Sequence, residues 1–300
     1  MARVRKKRAR ILRRAVLLFC APVFLGRFLA RETGSEYRVG FLRKVQLLLR
    51  MFRNRFRIVT ASGLLDQVVM ATEILRIPRE REGVVVECGS YQGGSTANLS
   101  LVCGLVGRTL HIFDSFAGLP EPTEADRLHI LPSIHELRAF EKGDFCGTLE
   151  IVKNNVERLG NLGVCRFHVG YFANTLPGFT EPCVFAFCDV DLRSSLETCV
   201  EQLWPRLVDR CYLFTHEANH MEIAGLFFDS CWWSARLHSA PPGLVGGGSG
   251  LGLYVSDQGF FRSSLGFAIK NIRALDFAAS GTVSPLALTD AARRAHRAAS

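Results

Sequence analysis

The 300-residue chain lacks the features that mark several protein classes. No apolar run approaches the ~18 residues of a membrane-crossing helix, which excludes a polytopic membrane protein. Glycine (27) and proline (11) are ordinary, which excludes collagen-like and low-complexity chains. Ten cysteines include no CxxC pair and no even ladder of spacings, so neither a disulfide scaffold nor a zinc ribbon is indicated. Cys88, Cys165, Cys183, Cys188, Cys199 and Cys211 sit in or beside apolar runs, where a free thiol behaves as a small core residue. That usage points to a reducing cytoplasm. Acids are nearly missing from the start. Residues 1–57 hold 17 Lys or Arg against Glu32 and Glu36, a charge of +15 out of a total of +9, which leaves −6 on the remainder. An acidic globule carries a basic arm. With 48% apolar residues, the rest can bury a substantial core.

The arm, residues 1–59, contains an apolar stretch from Ala15 to Leu25 and a second segment, FLRKVQLLLRMFRNRFRIV (41–59), in which Arg and Lys alternate with Leu, Phe and Met. No small-x-small cleavage site follows the first stretch, which argues against a signal peptide. Basic residues interleaved with bulky apolar ones suit a helix lying on an anionic membrane surface. The same charges would attract nucleic acid, the weaker expectation. An ordinary amphipathic helix packed on the domain is the plain alternative.

From residue 60 a regular rhythm sets in. GLLDQVVMATEIL (63–75) has apolar residues at helical spacing, and Pro78 follows it. Short β-rich runs come next: VVVEC (84–88), LHIFD (110–114), CRFHV (165–169), VFAFCDV (184–190) and CYLFT (211–215). Stretches with apolar residues near i, i+3, i+4 and i+7 separate them. Apolar strands alternating with such helices predict an α/β fold, a doubly wound, mainly parallel sheet covered on both faces. GLGLYVS (250–256) and LGFAIKN (265–271), joined by SDQGFFRS, predict an appended antiparallel C-terminal hairpin. Residues 278–300 are Ala-rich and polar and read as a flexible tail.

In such a sheet, ligands bind beyond the carboxyl ends of the strands. Three strand ends carry polar groups. The first is Glu87-Cys88-Gly89-Ser90-Tyr91-Gln92-Gly93-Gly94-Ser95-Thr96. Its glycines let the main chain approach a ligand, and the free N–H groups of a helix start face it. No lysine follows, so a P-loop is excluded. The second is Asp114, followed by Ser115. A carboxylate there can accept both hydroxyls of a ribose, or else cap the following turn. The third is Asp189-Val190-Asp191, where an i, i+2 spacing on a strand would aim both carboxylates at one spot, to share a proton or collect a cation.

VVECGSYQGGST, FDSFAGLPEP, GDFCGTLEIVKNNVERLG, FHVGYFANTLP and CDVDLRSSLETCVEQLWPRL occur in that order. The set resembles the macrocin O-methyltransferase family, class I enzymes that use S-adenosylmethionine to methylate hydroxyls, often on sugars. The resemblance spans roughly residues 60–230. It implies a Rossmann-like methyltransferase domain at 60–277 with a mobile lid at Leu119–Phe145. Glu87, Gly89, Ser90, Tyr91, Gly93 and Ser95 would shape the methionine and ribose pocket, Asp114 and Ser115 would hold the ribose, and Tyr171 and Phe172 would lie near the adenine. Asp189 would bind Mg²⁺ or another divalent metal and Asp191 would act as base. A small hydroxylated acceptor, and pairing into a homodimer, are implied as well.

The pattern departs from the family after the fifth run. Thr215-His216-Glu217 stands where the family expects two adjacent aspartates. The metal set would then be Asp189, His216 and Glu217, with His216 also available to the reaction. A non-catalytic relative, binding cofactor or a partner at the membrane, is the alternative. His216-Glu217-Ala218-Asn219-His220 also fits HExxH, the zinc-protease pattern, which requires both His on one helical face. Gly248-Ser249-Gly250-Leu251-Gly252 follows no strand and reads as a loop.

Overall fold

β1 (Val84–Cys88) is buried at every position, as a run of Val with no polar alternation requires when both faces of a sheet are covered. It is the inner strand of a six-stranded sheet. The computed structural model describes residues 25–271, apart from 124–125, 127, 132–135, 247–253, 257–258 and 263. β1 pairs in parallel with β2 (Leu110–Asp114) on one side and β6 (Cys183–Cys188) on the other. β5 (Cys165–Val169) extends the sheet beyond β2, and β7 (Leu207–Thr215) extends it beyond β6. β10 (Gly266–Ile269) closes the far edge antiparallel to β7. The order β10-β7-β6-β1-β2-β5 reverses direction between β1 and β6, the place where strand tips diverge and leave a crevice. This is the doubly wound sheet expected.

The helices form two groups. α1 (Phe41–Arg55), α2 (Leu64–Leu75) and α4 (Leu149–Leu159) pack on α3 (Gly94–Val106). α6 (Arg193–Leu203) packs on β6, on α5 (Phe172–Thr175) and on α7 (Met221–Leu226). Right-handed crossovers leading away from β1 in opposite directions place the two groups on opposite faces. α8 (Ser230–Leu237) buries Trp233, whose indole N–H donates to the Leu226 carbonyl at 2.7 Å and whose ring meets Trp204 edge-on at 4.9 Å. Trp233 is thus a core residue.

The basic arm divides where it was expected to stand apart. Residues 25–59 belong to the packed unit: Phe28, Leu47, Met51 and Ile58 are core residues. The ammonium of Lys44 is buried and donates to the carbonyls of Leu29 and Thr33, each at 3.1 Å. A buried polar chain ties α1 onward. Asn54 donates to Asn98 at 2.8 Å and to the Leu159 carbonyl at 3.1 Å, Asn98 donates to Gln67, and Gln67 donates to Ser62 at 2.9 Å. The boundary at residue 59 therefore falls inside the domain, while residues 1–24 and the tail at 278–300 lie outside the described residues.

The expected C-terminal hairpin is rearranged. β8 (Tyr254–Ser256) pairs with β9 (Gly259–Arg262), which lies within the segment read as a connection. LGFAIKN instead joins β7 in the main sheet. Backbone groups on the outer side of β7 need partners, and β10 supplies them. The Gly248–Gly252 loop lies outside the described residues. Within the lid segment, β3 (Leu128–Leu131) and β4 (Glu136–Ala139) form a separate two-stranded sheet. Among the described residues, no helix is long and apolar enough to cross a membrane, and the cysteines are free, Cys88, Cys188 and Cys199 deep in the core.

Candidate active site

A cleft opens at the tips of β1, β2 and β6, where a doubly wound sheet binds its ligands. Its wall includes Gly89, Ser90, Tyr91, Ser95, Asp114, Ser115, Tyr171, Phe172, Asp189 and Asp191. The three strand ends picked out from the sequence therefore meet in one place. Glu87 and Gly93 do not line the cleft. Glu87 lies beneath it in β1, and Gly93 stands before α3 with φ +83°, where Val152 leaves little room for a side chain. Thr60 and Ala61 line the cleft without any sequence signal having marked them, and Gly118, Pro120, Asp144 and Ser195, which fall within the family motifs, line it as well.

Gly89 ends β1 with φ +85°, and a Cβ there would come within 1.9 Å of the Asp189 carbonyl oxygen. The tips of β1 and β6 thus touch before they part, and only glycine permits it. The Asp189 N–H donates to the Cys88 carbonyl at 2.9 Å, which fixes the contact. Asp114 organises the next tip. Its Oδ2 accepts from the Ser90 N–H at 2.6 Å and the Ser90 hydroxyl at 2.8 Å, and its Oδ1 accepts from the Phe116 N–H at 2.7 Å. A carboxylate so held presents its remaining lone pairs in a fixed direction. Tyr91 and Asp191 line the cleft with left-handed backbones, φ +48° and +59°. Such conformations cost about 1 kcal/mol each and persist where surrounding contacts impose them.

Asp189-Val190-Asp191 is not the end of a strand, as its spacing had suggested. β6 stops at Cys188, and a tight turn follows in which the Leu192 N–H donates to the Val190 carbonyl at 2.6 Å. The turn, rather than strand alternation, brings Asp189 and Asp191 to the cleft wall, with the largely buried Val190 between them.

Below Asp189 lies a compact ionic cluster. His216 follows β7, and its N–H donates to the Cys188 carbonyl. Its Nδ1 lies 3.3 Å from Asp189 Oδ1 and 3.7 Å from Glu217 Oε1; its Nε2 lies 3.0 Å from the Ser264 hydroxyl and 3.7 Å from Asp66 Oδ2. Burial disfavours the imidazolium, but Asp189, Asp66 and Glu217 outweigh burial and hold His216 well above its ordinary pKa. Burial also opposes ionisation of Asp189, yet His216 brings it below the ordinary value. Burial pushes Asp66 and Glu217 up, Glu217 strongly. The cluster is therefore an Asp189–His216 ion pair flanked by two carboxyls held toward neutrality. Asp66, an α2 residue that also accepts from the Gly63 N–H at 2.9 Å, and Ser264 were missed from the sequence. The Asp66 signal is that of a helix N-terminus, and Ser264 reaches the cluster only because β10 pairs with β7.

Asp189, His216 and Glu217 do converge, with one ligand-type atom of each within 4.8 Å of the others, but they do not fit Mg²⁺. That ion demands near-octahedral oxygen ligands and gives up water reluctantly. Here an imidazole stands between the carboxyls, both its nitrogens face protein partners, and Glu217 is held toward its protonated form. The HExxH reading fails on geometry. His216 to Asn219 are not helical, α7 begins at Met221, and His220 is its N-cap with an extended backbone. The two histidines never share a helical face.

The donor set does fit a nucleoside cofactor carrying an amino-acid end. Asp114 offers an oriented acceptor, Tyr171 and Phe172 an aromatic wall, and the start of α3 its unpaired N–H groups. Glu87 adds a buried acid behind them. Burial raises it to about 8, against the pull of the nearby Ser95 and Thr96 hydroxyls, and among the described residues neither of its oxygens closes a hydrogen bond.

The sheet order and the crevice define a Rossmann-like doubly wound fold. The macrocin-O-methyltransferase (TylF) family model matches residues 62–223, more than half of the chain, and the chain belongs to that family. Among solved structures, the O-methyltransferase NovP is similar at 17% identity and a TM-score of 0.53, covering 70% of this chain and 81% of NovP. The calicheamicin methyltransferase CalS11 is 16% identical with a TM-score of 0.43, covering 77% of this chain and 80% of CalS11. A methyltransferase from Podospora anserina, PaMTH1, is 12% identical with a TM-score of 0.41, covering 75% and 88%. No curated protein matches the chain.

Proposed function

We propose that this protein transfers a methyl group from S-adenosylmethionine to a hydroxyl of a sugar or other polyhydroxylated small molecule. The observation that carries the reading is the shared cleft: the oriented carboxylate of Asp114 and the acids Asp189 and Asp191 line one cavity. Membership in the macrocin-O-methyltransferase family supports the same chemistry.

The cofactor, when bound, supplies a methyl group already activated on a sulfonium, so the protein's work is alignment and removal of one proton. Asp114 accepts the ribose hydroxyls while Ser90 and Phe116 hold its two oxygens in place. Tyr171 and Phe172 form the adenine side, and Ser95 with the first turn of α3 receives the carboxylate end. Asp191 would take the proton of the acceptor hydroxyl that receives the methyl group. Asp189, held by His216, positions the acceptor. The lid is tied at its base, where the Leu119 N–H donates to the Asp144 carbonyl at 2.9 Å and the Gly143 N–H to the Leu119 carbonyl at 3.0 Å. Closure of the lid over the cleft would exclude water.

Calorimetric titration with S-adenosylmethionine and S-adenosylhomocysteine, with and without EDTA, tests this reading. Binding unaffected by EDTA is expected, and no binding of either compound would remove it. Asp191→Asn should leave that binding intact and lower turnover about 100-fold; unchanged turnover would end the role of Asp191 as base. Binding without turnover on any hydroxylated acceptor would favour a non-catalytic relative, for which the filled metal position is the motive.

A further inference from the structure

α1 has two working faces, and only one is used by the domain. Lys44, Leu47, Met51 and Asn54 are buried against it. At 3.6 residues per turn, Leu42, Val45, Leu49 and Phe52 fall within an arc of about 80° on the opposite side. Leu42, Leu49 and Phe52 are exposed, Leu42 at 75%, and Phe56 continues the row at 71%. Phe52 and Phe56 meet edge to face at 5.0 Å, forming a continuous apolar ridge.

Basic residues border that ridge. Arg43, Arg50, Arg53 and Arg57 are exposed. Among the described residues none of them has an ion-pair partner within 4 Å, the pairs of this region being limited to Arg27 with Glu73 at 3.1 Å. The sequence holds no acid between Glu36 and Asp66. Among the described residues the charge is therefore left uncompensated, next to apolar side chains that water hydrates poorly.

We propose that the outer face of α1 docks on an anionic lipid surface, with the ridge in the headgroup–acyl boundary and the arginines on the lipid phosphates. This combination of a narrow apolar arc and a basic border is what an interfacial helix requires. Nucleic acid would use the arginines but gives the exposed Leu42 and Leu49 nothing to contact. The helix is not a loose anchor. The buried chain from Asn54 through Asn98 and Gln67 to Ser62 fixes it to the domain, and Thr60, where the cleft wall begins, sits 3.2 Å from Ser62, hydroxyl to hydroxyl. Docking would hold the whole domain at the surface in one orientation. The proposal does not depend on the methyl-transfer reading.

The test is flotation of the full-length chain with vesicles of phosphatidylcholine alone, with vesicles containing about one third phosphatidylserine, and with a nucleic-acid duplex in parallel. Binding at least about tenfold stronger to the anionic vesicles, weakening with salt, is expected. The joint variant Leu42→Ser, Leu49→Ser, Phe52→Ser, Phe56→Ser should reduce it about tenfold, and so should the separate variant Arg43→Gln, Arg50→Gln, Arg53→Gln, Arg57→Gln. All eight side chains are exposed, so thermal unfolding should shift little; if the serine variant does unfold, the glutamine variant decides. Equal binding to both vesicle types would overturn the proposal. So would variants that bind as well as the parent, since binding would then arise elsewhere in the chain, or binding to the duplex without binding to vesicles.

Discussion

The two halves of the sheet edge treat their carboxylates in opposite ways. At the tips of β1 and β2, Asp114 is held by two N–H groups and one hydroxyl and keeps capacity for a ligand. At the tips of β6 and β7, Asp189, Asp66 and Glu217 surround one imidazole at 3.3 to 3.7 Å. The first half holds its acid with backbone amides and a hydroxyl; the second holds its acids around an internal cation. A buried acid gains most from whatever donor is nearest, and the element that brings the donor decides which outcome results. Backbone amides leave a carboxylate's outer lone pairs open, whereas an imidazole inserted among three carboxyls closes the group.

Substitutions at the two halves should therefore fail differently. His216→Ala should have the largest effect, about 3–5 kcal/mol of lost stability in chemical denaturation, because it leaves buried acids without their cation. His216 has its pKa raised in the folded state, so its contribution is full below its unfolded value of roughly 6.5 and is lost as pH rises through the folded value. The gap between parent and variant should accordingly be wide near pH 6 and narrow in alkali; a gap that widened with pH would refute the ion pair. Asp114→Ala should weaken S-adenosylhomocysteine binding about 100-fold, roughly 2–3 kcal/mol, while costing less than half of that in stability. Equal losses in both would erase the contrast between the halves. The effect of Glu87→Gln should appear only as pH rises. Glu87 titrates near 8 instead of 4.5, so its contribution is full below 4.5 and fades as pH rises through 8. The variant should be indistinguishable from the parent at pH 4 and more stable than it at pH 8. A stability difference independent of pH would mean that Glu87 is ionised in the fold.

Much of the first half was legible in advance. VVVEC and LHIFD are too apolar for anything but covered strands, and Gly89 and Asp114 follow them directly, so chain position alone put them at the binding edge. The second half was not. Asp189 and Asp191 read as neighbours on a strand, yet the strand stops at Cys188 and a turn with a left-handed Asp191 places them. HEANH also fits a helical zinc pattern, yet the residues after a strand tip take the conformation the tip imposes.

The order of strands, the family motifs and the basic, apolar character of residues 41–59 are written in the chain, because hydrophobic period and glycine position act locally. Which face of α1 is covered, which strand β10 joins and which acids surround His216 depend on contacts between residues tens to nearly two hundred positions apart. No local pattern encodes such distances, and only the assembled sheet brings Asp66, Asp189, His216 and Ser264 within reach of one another.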